Sequence, residues 1–429
     1  MLEVFELEEF RRRFLGVNRF PELDPGVAVA AAEVLEEVRS VGDEAVARYT
    51  ALFDGAEVSA ADLRVPREAI EAAVRAADPR LVDSLQMAAD RIRDFHRGQI
   101  ERGYSIVTSG GSVAGQLVRP LARVGVYAPG GRAAYPSSLL MGAIPAQLAG
   151  VEEIAVCSPP GPSGDVASVV LVAASILGLD EIYRIGGVQA IGAMAYGTQS
   201  VDRVDKIVGP GNSYVTAAKK QVFGIVGIDG LAGPSELAVV CDSTADAQMV
   251  ALDLLAQAEH DPEARVYLLS TDEGLVRDIL ARMGKIGPGL YRWNIIRESL
   301  TNWGGALVAD ESDLWEVCNG LAPEHLSIQT SDPWAGLGRV RNAGAVFLGN
   351  ASAVSFGDYT AGPNHVLPTA GTARYASPLG VSDFVKRSSY LNMSARDAAE
   401  MAPGTARIAG IEGLTGHGLA AEARGSESP

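Results

Sequence analysis

The chain has 429 residues, 47% hydrophobic and 21% charged, a composition that predicts two or three packed domains and argues against overall disorder. The formal charge is −17, from 36 basic and 53 acidic side chains, and no basic run is long enough to follow a phosphate backbone. This argues against nucleic acid and anionic membrane surfaces as partners. No apolar run reaches the roughly 18 residues that a spanning helix needs; the longest, Val166–Leu179, is alanine-rich. The first 14 residues are charged and amphipathic, without a signal peptide's apolar core. Cys157, Cys241 and Cys318 lie far apart with no CxxC spacing, and Cys157 and Cys241, in apolar strand-like runs, read as small buried hydrophobes. The expectation is a cytoplasmic enzyme without a membrane segment.

In chain order, residues 1–95 read as helical, with amphipathic stretches at Gly26–Leu52 and Arg67–Ala77 broken by Pro21, Pro25 and Pro66. His96, among Arg91, Arg93 and Arg97, reads as a surface residue. Four strand–helix units follow. Their strands are Val124–Tyr127, Ile154–Cys157, Glu181–Ile185 and Lys206–Val208, each ending in a glycine or proline turn. Consecutive units of this kind predict a doubly wound parallel sheet. A second α/β set starts at Leu237–Cys241 and helix Ala245–His260. It continues through Arg265–Ser270, Ala306–Ala309, Leu326–Gln329 and Ala345–Leu348. From about Arg374 no further strand is expected; residues 383–423 read as helices and Gly425–Pro429 as a polar tail. The predicted organisation is an N-terminal helical segment (1–20), an α/β domain of 21–106 with 235–373, a Rossmann-like domain (107–234) and a helical C-terminal tail (374–429). The two halves have similar strand–helix character and suggest a duplication.

The residues that carry chemistry cluster in five places. Glycine turns at Pro129-Gly130-Gly131, Gly186-Gly187 and Gly209-Pro210-Gly211-Asn212 can cradle a pyrophosphate at a helix N-terminus, although none is a full GxGxxG. Gln257 and His260 stand three apart at a helix end and share a face. Glu324 and His325 are adjacent behind Pro323, placing a carboxylate beside an imidazole that titrates near neutral pH. Residues 355–368, S-F-G-D-Y-T-A-G-P-N-H-V-L-P, set Asp358 and His365 seven residues apart on one loop. Glu412 and His417 lie in E-G-L-T-G-H near the C-terminus, in a tail with little apolar patterning of its own. Gln257, His260, Asp358 and either His365 or His417 form a nitrogen–oxygen zinc set, without the spacing of an HExxH site.

Together these motifs resemble one family, histidinol dehydrogenase. The matching stretches are V-G-V-Y-A-P-G-G (124–131), I-G-G-V-Q-A-I (185–191), V-D-K-I-V-G-P-G-N (204–212) and V-G-I-D-G-L-A-G-P-S-E (226–236). Q-A-E-H-D (257–261), A-P-E-H-L (322–326), G-D-Y-T-A-G-P-N-H-V-L-P-T (357–369) and E-G-L-T-G-H (412–417) continue the match. The resemblance implies two Rossmann-like doubly wound parallel-sheet domains, an aldehyde-dehydrogenase-like duplication, with a small helical C-terminal tail. It implies zinc held by Gln257, His260, Asp358 and His417, and proton transfer by Glu324 and His325. Ser235, Gln257, His260, His325, Asp358, His365, Glu412 and His417 would bind the substrate, L-histidinol, and Tyr127, Gln189 and Asn212 would contact NAD. It further implies a homodimer in which the C-terminal tail, with Glu412 and His417, completes the partner's site. Two other readings of the residues are a zinc- and NAD-dependent dehydrogenase of another small polar alcohol, and a zinc hydrolase in which Glu324 activates water. The hydrolase reading leaves the three glycine turns without a cofactor.

Overall fold

The computed structural model describes residues 2–15, 24–130 and 134–425; residues 16–20, Pro21, Gly131 and the tail beyond Gly425 lie outside them. The strands are β1 (Val4–Phe5), β2 (Tyr104–Val107), β3 (Val113–Pro120), β4 (Arg123–Tyr127), β5 (Glu153–Cys157), β6 (Ile182–Tyr183) and β7 (Lys206–Val208). After them come β8 (Gly227–Ile228), β9 (Glu236–Cys241), β10 (Arg265–Ser270), β11 (Gly305–Val308), β12 (His325–Gln329), β13 (Ala345–Leu348) and β14 (Val385–Asn392).

The first sheet is parallel with the order β6-β5-β4-β7-β8. In the domain's own count its strands stand third, second, first, fourth, fifth, the order of a nucleotide-binding doubly wound sheet. Every residue of β4 is buried, as expected for a parallel strand covered on both faces. Val124 and Val126 pack with the helices Pro136–Ala149 and Ser168–Ile176. On the opposite face, Tyr127 packs with the helices Gly187–Tyr196 and Ser213–Val222. Gly125 lets that layer close, since a Cβ there would lie 2.4 Å from Met194 Sδ.

The N-terminal helices depart from the expected grouping of 21–106 with 235–373. Pro25–Val41 and Asp43–Asp54 cover the Tyr127 face of the first sheet, and Arg67–Ala76 and Pro79–Arg97 cover the Val124 face. An apolar stripe shows that a helix has a buried side but not which sheet receives it. Here Leu35 and Val38 close over Gly192, where a Cβ would lie 3.2 Å from each. The expected helix Gly26–Leu52 is divided at Gly42 (φ 78°), where a Cβ would meet the Gln199 amide at 2.2 Å. The Gln199 oxygen accepts from Asp43 N.

The second sheet is also parallel, β1-β11-β10-β9-β12-β13. Beyond the added β1, its strands repeat the order third, second, first, fourth, fifth, which is the architectural sign of duplication. Residues 2–15 are the part of the N-terminus that completes it. Phe5, Phe10 and Phe14 form an aromatic cluster with Tyr267 on one face. The helices Ala247–Ala258, Glu273–Ile286 and Trp293–Asn302 cover the other.

A third sheet, β14-β3-β2, is antiparallel. Strand β14 corrects the expectation that strands stop at Arg374. Its sequence, V-K-R-S-S-Y-L-N, is mostly exposed and carries no alternating apolar signal; eight residues of backbone pairing with β3 hold it. The chain then forms a helical hairpin, Ala395–Ile411 and Thr415–Gly425, tied to the β2–β3 turn through Asp397, which accepts from Ser112 N at 3.2 Å. No described helix is long and apolar enough to cross a membrane.

At the end of β7, Gly209 has φ 115°, and a Cβ there would stand 2.1 Å from the Tyr127 carbonyl oxygen. Gly209→Ala combines a left-handed backbone with a collision against backbone. It is expected to destabilise the protein by about 3 kcal/mol, read as a lower denaturant midpoint.

Candidate active site

The site is built around the start of β12. Helix Glu311–Leu321 ends at Ala322, a non-glycine residue in the left-handed region (φ 44°), and Pro323 and Glu324 then lead into His325. Sparsely populated backbone of this kind persists where its surroundings hold it. Neighbouring strands do so from both sides. Gly344 N and Ala345 N donate to the carbonyls of Pro323 (3.0 Å) and Glu324 (2.8 Å), and a Cβ on Gly344 would lie 2.6 Å from the Glu324 carbonyl. On the other side, Glu236 N donates to Glu324 Oε2 at 2.8 Å, while the Glu236 carbonyl lies 3.1 Å from His325 Nδ1. A carbonyl only accepts, so Nδ1 carries a hydrogen, and in the neutral ring Nε2 keeps its lone pair. Among the described residues His325 Nε2 has no hydrogen-bond partner, and it lies 3.6 Å from Asp358 Oδ1.

Asp358 lies on a short helix, Val354–Tyr359, rather than in the loop expected from sequence, and the loop begins after it. That loop returns His365 to the same place: His365 Nδ1 donates to the Asp358 carbonyl at 2.7 Å. Its Nε2 faces Ser138 Oγ at 3.4 Å, and the neighbouring Asn364 amide donates to the Met141 carbonyl at 2.9 Å. Ser138 and Met141 belong to helix Pro136–Ala149 of the first sheet, so the site lies at the seam of the two halves.

The electrostatics follow from crowding acids and imidazoles in a buried space. Burial alone would depress the His325 imidazole, but the Glu324 carboxylate, with Asp358, outweighs it and lifts the group to about 10. Burial would raise the Asp358 carboxyl, but His325, with smaller contributions from His260 and His365, holds it below its usual range. Burial dominates at His365 and lowers it, favouring a neutral ring.

Gln257 and His260 close the helix that packs beside Val354–Tyr359. Gln257 is 2% exposed and its Nε2 has no partner among the described residues; turned end for end, the amide presents an oxygen to the same space. His260 is exposed at the helix end, near enough to Asp358 to influence its charge. An amide oxygen, an imidazole and a carboxylate are donors that suit zinc. Among the described residues no three His, Cys, Asp or Glu side chains form a metal-holding group by themselves.

Tyr127, Gln189 and Asn212 stand elsewhere, at the carboxyl edge of the first sheet. Tyr127 and Gln189 are buried beneath the Gly186-Gly187 turn, where Tyr127 Oη accepts from Gly187 N at 3.2 Å. Burial pushes the Tyr127 phenol up to about 12. Asn212 is exposed and caps helix Ser213–Val222, its Oδ1 accepting from Tyr214 N and Val215 N at 3.1 Å each. Ser235 lies just before β9, half-buried, its carbonyl accepting from Arg265 N at 2.9 Å. Glu412 and His417 are exposed on the C-terminal hairpin, and no hydrogen bond or ion pair among the described residues joins them to Asp358 or His325.

Several residues escaped sequence reasoning. Glu236 acts through its backbone, which no side-chain motif reveals. Ser138 meets His365 only through the fold. His96 is a correction: it is fully buried, with Nδ1 2.8 Å from the Ile92 carbonyl, and burial lowers it. The stripe Leu85, Ala88, Ala89, Ile92, His96 carries that signal, which the flanking arginines obscured.

Two doubly wound halves of one strand order, with an imidazole–carboxylate pair at their seam, define an α/β enzyme scaffold of the nucleotide-binding kind. The sequence matches the family model for histidinol dehydrogenase over residues 21–425, and the chain belongs to that family. It is 47% identical over 425 residues to the histidinol dehydrogenase of Moorella thermoacetica, covering 99% of this chain and 100% of that one. Against the Pseudomonas aeruginosa enzyme it is 47% identical over 403 residues, 94% of this chain and 91% of the other. The crystal structure of histidinol dehydrogenase from Elizabethkingia anophelis aligns with a TM-score of 0.94 at 36% identity, covering 99% of this chain and 98% of that one.

Proposed function

We propose that this protein oxidises L-histidinol to L-histidine through histidinal, consuming two NAD, as the closing oxidation of histidine biosynthesis. The observation that carries this reading is the Glu324–His325 pair. It is fixed by the Glu236 backbone with His325 Nε2 unpartnered, at the seam between a nucleotide-type sheet and the Asp358 helix.

NAD supplies the hydride acceptor in both oxidations. Zinc, held by Gln257, His260, Asp358 and His417, supplies a Lewis-acidic anchor for the substrate's imidazole and amino nitrogens. In each oxidation His325 Nε2 takes the hydroxyl proton as the C–H electrons leave. The Nδ1–H bond to the Glu236 carbonyl keeps that nitrogen the acceptor and steadies the ring as it charges. Between the oxidations Glu324 takes a proton from the water that adds to the aldehyde, and its anchorage to Glu236 N aims it. His365, neutral and tied to the Asp358 carbonyl, stands with Ser138, Ser235 and Glu412 as the pocket for the remaining polar groups. Protonated His325 cannot accept a proton, and the Glu324 and Asp358 carboxylates favour that charged form; a divalent cation held by Asp358 would weaken the Asp358 contribution.

Tyr127, Gln189 and Asn212 serve the NAD site: the first two are buried behind the Gly186-Gly187 turn, and Asn212 lies on its exposed rim. The C-terminal hairpin presents Ile408, Ile411 and Leu419 at 62%, 84% and 67% exposure. An apolar row of this kind suits a second copy, so we read the protein as a cytoplasmic homodimer whose tail carries Glu412 and His417 into the partner's site. Chelation is the direct test of the metal. Stripping zinc should reduce NADH formation from histidinol by about 100-fold or more, and zinc should restore it. Full activity in protein shown to be metal-free would overturn the zinc assignment.

A further inference from the structure

At the carboxyl edge of the first sheet, the ends of β4, β5 and β6 converge. A Cβ on Gly130 would lie 2.8 Å from Pro159 Cγ, and one on Gly186 would lie 2.5 Å from Pro159 Cβ. In a doubly wound sheet a dinucleotide lies across such an edge, and a carboxylate after the second strand takes the ribose hydroxyls. Here the segment after β5 is S-P-P-G-P-S-G-D (158–165), whose one acid, Asp165, is exposed and faces Arg184 at 3.8 Å.

A carboxylate reaches the spot from outside the sheet. Asp54 ends the helix Asp43–Asp54, and both of its oxygens lie 3.1 Å from the position a Gly186 Cβ would take. Among the described residues no cation pairs with Asp54; Gln189 Nε2 donates to its Oδ2 at 3.4 Å. Gln189 is fully buried, and its Oε1, 2.8 Å from the position of a Gly187 Cβ, has no partner among the described residues. Helix capping does not account for Asp54. The helix Gly187–Tyr196 starts without a side-chain cap, and Gly187 N goes to Tyr127 Oη. Burial raises the Asp54 carboxyl to about 6, so the group remains mostly charged above pH 7. A half-buried charge without a cation and a buried amide oxygen without a donor are costly unless a ligand completes them. A vicinal diol brings two O–H donors, whereas a phosphate brings only like charge.

Building on the dehydrogenase reading above, we propose that Asp54, with Gln189 behind it, reads the adenosine ribose of the dinucleotide, accepting its free hydroxyls and excluding the 2′-phosphorylated form. Asp54 is thus the residue that sets NAD over NADP.

The test is equilibrium binding, without substrate, to the zinc-loaded wild type and to Asp54→Asn and Asp54→Ser, by calorimetric titration. The probes are NAD, NADP and NAD lacking the adenosine 2′-hydroxyl. Wild type should prefer NAD over NADP by roughly 100-fold and lose about tenfold on removal of the hydroxyl. Both variants should narrow the NAD-to-NADP ratio by about tenfold or more, with NADP binding improved in absolute terms. An unchanged ratio in variants that melt near the wild-type temperature overturns the assignment. If neither variant folds, the wild-type 2′-deoxy comparison decides, and equal affinities overturn it. Wild type that binds NAD with an unaltered ratio in the variants leaves the dehydrogenase reading standing. Wild type that binds neither dinucleotide removes both.

Discussion

Replacing His325 with asparagine should lower kcat for histidinol by about 100- to 10,000-fold, the range expected when a positioned general base is removed. Asparagine can still donate to the Glu236 carbonyl that now meets His325 Nδ1 at 3.1 Å, so the strand start keeps its anchor. What it cannot do is accept a proton where Nε2 stands. Because His325 is assigned to proton transfer and not to zinc, the variant should retain its full metal content. Metal loss from a folded His325→Asn protein would make the imidazole a ligand and reassign the base. A normal kcat would exclude proton transfer by this residue altogether.

The second large effect concerns the C-terminal hairpin. On the proposed shared zinc site, His417→Ala and His260→Ala should each abolish activity as homodimers, since each removes a proposed ligand. Mixed, they should recover. In a heterodimer one site combines an intact His260 with an intact His417 from the other chain, and the second site lacks both. With random pairing half the dimers are heterodimers, so the mixture should regain about one quarter of wild-type activity. Heterodimers isolated by two affinity tags should show about one half. Isolated heterodimers without activity would place His417 in its own chain's site, and an active His417→Ala homodimer would place it away from zinc.

Much of the architecture was legible because its strands are apolar runs bounded by glycine and proline. β4, β5, β7, β9, β10 and β12 form within a residue of their expected bounds. The candidate site was legible where its residues are neighbours in sequence, as at Glu324–His325, or stand at the two ends of a short segment, as at Asp358 and His365. Three kinds of information were not. The face that a helix covers depends on partners far along the chain, so the apolar stripes between Pro25 and Arg97 do not reveal that these helices cover the first sheet. A strand held by backbone pairing over a polar surface, β14, has no hydrophobic period to show. Residues that act through the main chain or across the fold, Glu236 on His325 and Asp54 on Gly186, leave no spacing in the sequence. His96 is a different matter, since its helical stripe was present and the charged neighbours concealed it.

The most direct test of the account is the stoichiometry of NADH to histidine formed by the zinc-loaded protein given NAD and L-histidinol. Two NADH are expected for each histidine, with no free histidinal accumulating. NADH formed only from a different polar alcohol would move the substrate while keeping the chemistry. No NADH from histidinol or any other alcohol, in protein that binds zinc, would contradict the account.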